Sequence, residues 1–138
     1  MTTDAFALYA AVILLLPMAA FFLSSPTFLL VGLEVPEVTQ LLRGLFSGYF
    51  LVMGVTGTVA AVGFILGGRP LFAVGAIAVA IFATVARRWF LQRLDAQLSA
   101  REAGVATAVP RLRALHLQGM LVNAIMLACV VATVPLIV

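Results

Sequence analysis

The sequence predicts an all-α integral membrane protein, a four-helix bundle whose third helix carries an amphipathic extension into the cytoplasm. Of its 138 residues, 64% are hydrophobic and 9% are charged, whereas a soluble domain has about 45–50% apolar and about 25% charged residues. The apolar residues form four runs, each close to the roughly 20 residues that cross a bilayer as a helix. This length fits one domain. We therefore predict a single transmembrane domain over residues 1–138.

The first span is placed at about residues 5–31. It is preceded by Asp4 and by no basic residue, and its apolar run exceeds the 7–15 residues typical of a cleavable signal peptide. We interpret it as a retained helix. Pro17 is expected to kink this helix because proline removes a backbone donor, and the Ser24–Pro26 segment is expected to loosen its far end.

The second span, at about residues 45–66, follows a short polar stretch and is rich in small residues. Small residues four positions apart let helix backbones approach closely in lipid. We interpret this span as the central packing helix of the bundle, with homodimerisation through the same face as the alternative. The glycines assigned to packing are Gly44, Gly48, Gly54, Gly57, Gly63 and Gly67.

The third span, at about residues 71–86, follows a compact turn at residues 67–70, in which proline is well placed to start the helix. We expect the helix to continue past the membrane to about Glu102, because leucines recur at helical spacing in the polar segment. These leucines are Leu91, Leu94 and Leu98.

The fourth span, at about residues 114–137, follows a connection in which Gly104 and Pro110 are expected to break the helix. It contains the single histidine and the single cysteine, His116 and Cys129. A structural zinc site takes four ligands, and these two residues lie about 20 Å apart along one helix. The sequence therefore predicts no metal site and no cofactor.

The arginines predict the orientation. All eight basic residues are arginine. With four spans, seven lie on the side of the first and third connections and only Arg69 lies on the other. The positive-inside rule places these connections in the cytoplasm and both termini outside, with the arginines facing lipid headgroups rather than nucleic acid. We expect a bacterial cytoplasmic (inner) membrane protein. The seven residues are Arg43, Arg87, Arg88, Arg93, Arg101, Arg111 and Arg113.

Four side chains form the candidate ligand pocket. His116 and Asn123 lie seven residues apart, a spacing that places both on one helix face. Tyr49 and Trp89 lie at a similar predicted depth on the second and third spans. We predict that the four line a shallow pocket near the cytoplasmic headgroups. Alternatively, the two aromatic residues belong to an interfacial belt and Asn123 forms an interhelical hydrogen bond.

Three segments resemble a known family. QLLRGLFSGYF, ARRWFLQRL and RLRALHLQGMLVNAIML are similar to segments of the small four-helix membrane family of unknown function that includes transmembrane protein 205. Its bacterial relatives carry a histidine near the start of the first helix, where this sequence has Tyr9. The third and fourth spans also resemble the anthrone oxygenase-like membrane family. That second resemblance implies cofactor-independent oxidation.

Three functional hypotheses follow. The favoured one is a membrane protein that binds, or helps to move, a small apolar or amphipathic ligand or a lipid at the cytoplasmic leaflet. The first alternative is a cofactor-independent oxygenase or isomerase that uses His116 as a general base. The second is a structural subunit of a larger membrane complex, or a homo-oligomer, that docks through the glycine-rich helix.

Overall fold

The computed structural model describes residues 2–137, which form four long helices and one short 3-10 helix. The helices are α1 (Thr3–Ser24), α2 (Pro36–Leu66), α3 (Pro70–Glu102) and α4 (Ala108–Ile137), and the 3-10 helix spans Ser25–Leu29. The described residues contain no strand. Each long helix is long and apolar enough to cross a membrane. The predicted fold class, an all-α four-helix bundle, is confirmed.

The four helices form an antiparallel ring in which each helix packs against the next and α4 packs against α1. At one end, here the terminal end, the turn between α2 and α3 lies beside both chain termini. There Arg69 donates hydrogen bonds to the carbonyls of Leu136 (3.2 Å) and Ile137 (3.1 Å) and lies 3.6 Å from Asp4. The other end, here the arginine-rich end, carries the connections at residues 25–35 and 103–107.

The far end of α1 is loosened as predicted, but the α-helix ends at Ser24 instead of near residue 31. The chain then continues as the 3-10 helix Ser25–Leu29. Pro26 has no backbone N–H, so the ladder of α-helical hydrogen bonds cannot continue through it. The Ser24 hydroxyl instead donates to the carbonyl of Ala20 at 2.7 Å. The change of helix type places Ser25 inside the bundle, where it is fully buried.

Two helices begin earlier than predicted. The polar stretch before residue 45 is helical from Pro36, because proline fits the first helical position and Glu37 is stabilised by the helix dipole. The fourth helix begins at Ala108 instead of near residue 114. Pro110 lies in its first turn, where proline is tolerated, so it does not break a helix.

The predicted extension of the third helix is present. α3 has 33 residues and is about 50 Å long, which exceeds the hydrocarbon thickness of about 30 Å. In its final part Leu94 is buried, and Leu91 and Leu98 pack against the core. The extension is therefore an integral, amphipathic part of the bundle.

The two halves of the core are packed with residues of different size. Near the terminal end, the buried residues are mainly alanines, seven in one cluster, so the helices approach closely. Near the arginine-rich end, the core is filled by large side chains, and the rings of Phe46, Phe50 and Phe90 contact one another. The aromatic half separates the helices enough to enclose polar side chains.

Three of the glycines proposed for packing lie against a neighbouring helix. A Cβ atom at Gly57 would be 3.0 Å from the carbonyl oxygen of Ala76 on α3. At Gly63 it would be 3.0 Å from the Cβ of Ala10 on α1, and Gly67 lies equally close to the start of α1. α2 thus uses glycine on two faces, one toward each neighbour, as close backbone approach requires.

The other three proposed packing glycines lie in more open surroundings. A Cβ atom at Gly44 or Gly48 would have no heavy atom within 4 Å, and one at Gly54 would meet only the Thr84 hydroxyl oxygen at 3.7 Å. These positions lie toward the arginine-rich end of α2. Close helix approach through glycine is therefore confined to the terminal half of this helix.

Candidate functional site

A buried polar cluster lies in the aromatic half of the bundle. It comprises the side chains of Ser25, Tyr49, His116 and Asn123 together with the backbone carbonyl of Met18. Ser25, His116 and Asn123 are fully buried and Tyr49 is 6% exposed. Since buried polar groups are costly unless they are hydrogen-bonded, the partners of each group determine what the cluster can do.

Tyr49 and Asn123 link three helices through the centre of the bundle. The Tyr49 hydroxyl donates to Oδ1 of Asn123 at 2.5 Å, and Nδ2 of Asn123 donates to the carbonyl of Met18 at 3.1 Å. The first bond joins α2 to α4, which are diagonal in the ring, and the second joins α4 to α1. Of the four residues predicted to share a pocket, Tyr49 and Asn123 are in direct contact.

His116 contacts the start of the 3-10 helix. Its Nε2 lies 2.8 Å from the Ser25 hydroxyl oxygen and 3.0 Å from the Ser25 carbonyl oxygen. A protonated Nε2 can donate to the Ser25 carbonyl, and an unprotonated Nε2 can accept from the Ser25 hydroxyl, so Ser25 serves either tautomer. Nδ1 is buried and has no hydrogen-bond partner among residues 2–137. The rings of Phe28 and Phe46 approach the imidazole edge-on.

This geometry bears on the enzyme hypothesis. A general base must come within hydrogen-bonding distance of the proton that it removes. Both ring nitrogens of His116 are enclosed in the core, because Nε2 lies against Ser25 and Nδ1 is buried without a hydrogen-bond partner among residues 2–137. The arrangement resembles an interhelical anchor more closely than a catalytic base.

Sequence reasoning missed the residues that complete the cluster. Ser25 and the Met18 carbonyl come from α1 and its 3-10 continuation, and a backbone carbonyl leaves no signal in a sequence. Gly119 was also missed, although it lies between His116 and Asn123 on the same helix face. A Cβ atom there would overlap the ring of Phe46, so Gly119 makes room for this fully buried ring. Its position at helical spacing between two polar residues was the available signal.

Trp89 lies away from the polar cluster. It is 40% exposed, and the Arg93 guanidinium carbon lies 4.2 Å from the centre of its ring. Trp89 lines cavities between α3 and α4, whereas the cluster lies among α1, α2 and α4. The structure therefore brings together Tyr49 and Asn123, with His116 in the same core, and places Trp89 on the outer surface of the bundle.

Two arginines hold the connection between α1 and α2. Arg113 on α4 donates to the carbonyls of Phe28 and Val31, the latter at 2.9 Å. Arg101 on α3 donates to the carbonyl of Leu33 at 3.0 Å. These bonds satisfy backbone carbonyls that lie outside regular helix, so both side chains stabilise the fold at the arginine-rich end.

Two further arginines join α2 to α3. Arg43 makes a two-point ion pair with Asp95, with N···O distances of 2.6 and 3.0 Å, and hydrogen bonding from this guanidinium lowers the pKa of Asp95. Arg87 donates to the carbonyl of Ser47 at 3.1 Å and to its hydroxyl at 2.8 Å.

Three of the seven arginines at this end are exposed and make no hydrogen bond or ion pair with the chain from residue 2 to 137. They are Arg88, Arg93 and Arg111. All three therefore present a full complement of N–H donors outward, and each lines a cavity on the surface of the bundle.

The largest of these cavities is a groove of about 780 Å³ on the outer face of α2 and α3. Its walls are mainly apolar and include Leu51, Val55 and Val59. Arg87, Arg88 and Asp95 lie at its arginine-rich end, where the Asp95 carboxylate is already paired with Arg43. The α2–α3 groove thus combines a cationic mouth with an apolar channel along the membrane normal.

No metal-binding group is present in the described part of the chain, since no three His, Cys, Asp or Glu side chains lie close enough to hold an ion. Comparison with known proteins found no family model, no curated protein and no solved structure that matches this chain. Function is therefore argued from the chemistry of the site.

Proposed function

We propose that this membrane protein binds anionic amphiphiles of the cytoplasmic leaflet, with the apolar tail in the α2–α3 groove and the anionic headgroup at Arg88. The observation that carries the proposal is the exposed guanidinium of Arg88, which has no partner in residues 2–137, at the mouth of a groove of about 780 Å³. The proposal retains the favoured hypothesis but moves the site from the protein interior to its lipid-facing surface.

The chemistry of the two ends of the groove supports this assignment. A guanidinium presents parallel N–H donors that match the two oxygens of a carboxylate or phosphate. Along the channel, Val55 and Val59 are 58% and 49% exposed, so they offer apolar surface to a tail. An amphiphile satisfies both ends at once, which neither a purely apolar ligand nor a soluble anion does.

The same proposal includes an orientation. Seven arginines lie at the arginine-rich end and Arg69 lies at the terminal end, which supports a cytoplasmic location for the former. The groove mouth then faces the headgroups of the cytoplasmic leaflet, and both termini lie outside. Membership of the family that includes transmembrane protein 205 stays a prediction that rests on three short segments.

Binding through Arg88 predicts a preference for charged amphiphiles. We expect the protein, purified in mild detergent, to bind a pyrene-labelled fatty acid more tightly than the matching pyrene-labelled alcohol, measured by fluorescence titration. Replacing Arg88 with glutamine should weaken binding of the acid by roughly 10- to 150-fold, because a hydrogen bond to a charged group contributes about 1.5–3 kcal/mol. Binding of the alcohol should hardly change.

A steric pair of variants tests the location. Val59→Trp places a large ring in the groove and should weaken binding of both probes. Val62→Trp is the matched control, because Val62 is 54% exposed on the same helix and does not line the groove. Equal affinity of wild type and Arg88→Gln for the acid, or equal effects of the two tryptophan variants, would contradict the proposal.

A further inference from the structure

Two adjoining cavities lie between α3 and α4, on the opposite side of α3 from the α2–α3 groove. The one at the arginine-rich end has a volume of about 440 Å³ and a lining that is about half polar. The next has a volume of about 410 Å³ and is almost wholly apolar. Trp89 and Gln118 line both, so the two cavities are neighbours along the bundle. Neither shares a lining residue with the α2–α3 groove.

The polar cavity is strongly basic. Arg93 and Arg111 line it from α3 and α4, and no carboxylate in residues 2–137 forms an ion pair with either. Arg93 is also held over the face of Trp89, which fixes its guanidinium near the mouth. Two guanidiniums on facing helices, without a carboxylate between them, fit a phosphate group that accepts hydrogen bonds from both.

Gln97 gives this cavity an acceptor that needs a hydrogen-bond donor from the ligand. Its side-chain oxygen Oε1 is buried and has no hydrogen-bond partner among the described residues. An amide oxygen can only accept a hydrogen bond, and a phosphodiester offers only acceptors. The Gln97 side chain lines the cavity, so a rotation of its amide would turn Oε1 toward a headgroup. A hydroxyl group on that headgroup would then supply the donor that Oε1 lacks, while the phosphate contacts the arginines.

The apolar cavity fits the rest of a lipid. Phe82, Val85 and Val122 line it, and Phe82 lies 11 residues before Arg93 on α3, a rise of about 16 Å. A chain that leaves the basic cavity would therefore run toward the membrane interior along apolar side chains. The order of basic head, interfacial tryptophan and apolar channel follows the order of groups in a phospholipid.

We infer that the α3–α4 cavities form a second binding site, for an anionic phospholipid whose headgroup carries free hydroxyl groups. A phosphoglycerol headgroup has this chemistry. Its phosphate binds Arg93 and Arg111, a glycerol hydroxyl donates to Oε1 of Gln97, and one acyl chain occupies the apolar cavity. The site is independent of the α2–α3 groove, and its arginines are different ones.

The test compares three phospholipids with the same acyl chains. Phosphatidylglycerol has the phosphate and the hydroxyls, phosphatidylmethanol has the same charge but no hydroxyl, and phosphatidylcholine is zwitterionic. Lipid affinity is measured by native mass spectrometry of the detergent-purified protein during titration. We expect phosphatidylglycerol to bind about three- to tenfold more tightly than phosphatidylmethanol, which is the range for one neutral hydrogen bond, and phosphatidylcholine to bind most weakly.

Variants assign these differences to residues. Gln97→Met removes the acceptor but keeps a side chain of nearly the same length. The affinity for phosphatidylglycerol should fall to that for phosphatidylmethanol, and the affinity for phosphatidylmethanol should not change. Arg93→Gln with Arg111→Gln should lower both. Val122→Trp should block the site, whereas Ile125→Trp, at a 56% exposed position of α4, should not.

Three results would overturn the inference. Equal affinities for phosphatidylglycerol and phosphatidylmethanol would exclude recognition of the hydroxyl. Equal affinities for phosphatidylglycerol and phosphatidylcholine, or no effect of the double arginine variant, would exclude the site itself. The fatty-acid titration tests Arg88 and the α2–α3 groove, whereas the phospholipid titration tests the α3–α4 cavities. Either proposal can therefore be contradicted while the other holds.

Discussion

Replacing Gly119 with alanine should destabilise the bundle by about 1–3 kcal/mol, the range for overpacking a well-filled core. The added methyl group would overlap the ring of Phe46. That ring is fully buried and is surrounded by other rings, including those of Phe21 and Phe90, so it cannot move aside without shifting several neighbours. The loss should appear as a lower thermal unfolding midpoint in mild detergent.

Gly48→Ala is the matched control for this prediction. A Cβ atom at Gly48 has no heavy atom within 4 Å, so this change should leave stability unchanged or raise it, because alanine favours helix over glycine by about 1 kcal/mol. Phe46→Leu should partly rescue Gly119→Ala, and a double-mutant cycle measures that coupling. If Gly119→Ala is as stable as wild type, the diagonal contact between α2 and α4 is wrong.

Replacing Asn123 with alanine should also destabilise the protein by about 1–3 kcal/mol, because it leaves the buried Tyr49 hydroxyl without its acceptor. It also removes the bond to the Met18 carbonyl that ties α4 to α1. Tyr49→Phe combined with Asn123→Ala should cost less than the sum of the single changes, because both remove the same hydrogen bond. Unfolding in detergent measures all three variants.

The control is Cys129→Ala, an exposed position on the same helix, where stability should not change. Binding of the fatty-acid probe to the folded Asn123→Ala protein should be retained, because the polar cluster is internal and the α2–α3 groove is not. If Asn123→Ala has normal stability but has lost binding, the ligand site lies at His116 and Asn123, and Asn123 has no structural role.

The helices themselves were predictable from the sequence, but not all of their ends. Apolar runs and the leucine spacing gave the four spans and the extension of α3. The first turns of α2 contain the polar residues Glu37, Thr39 and Arg43. A helical segment outside the hydrocarbon layer can be as polar as a loop, so polarity did not reveal where this helix begins. Pro110 was similarly ambiguous, because proline occurs both after a helix and within the first turn of the next one.

The candidate site was only partly predictable, for a different physical reason. Helical spacing correctly placed His116 and Asn123 on one face, because the spacing depends on one helix alone. The partners of these residues depend on how helices rotate against each other, and the almost wholly apolar part of α3 at residues 71–86 gives no period to fix that rotation. For the same reason the sequence left Trp89 open between the pocket and an interfacial belt. The grooves depend on backbone separation, which no sequence pattern recorded.

The assignment of the α2–α3 groove to the cytoplasmic leaflet depends on one claim, namely that the arginine-rich end faces the cytoplasm. Labelling of single cysteines in intact cells, in a Cys129→Ala background, tests it most directly. Thr3→Cys reports on the terminal end, and Ala106→Cys reports on the connection between α3 and α4. A membrane-impermeant maleimide should label Thr3→Cys in intact cells and label Ala106→Cys only after permeabilisation. Labelling of Ala106→Cys in intact cells, with Thr3→Cys protected, would contradict the claim.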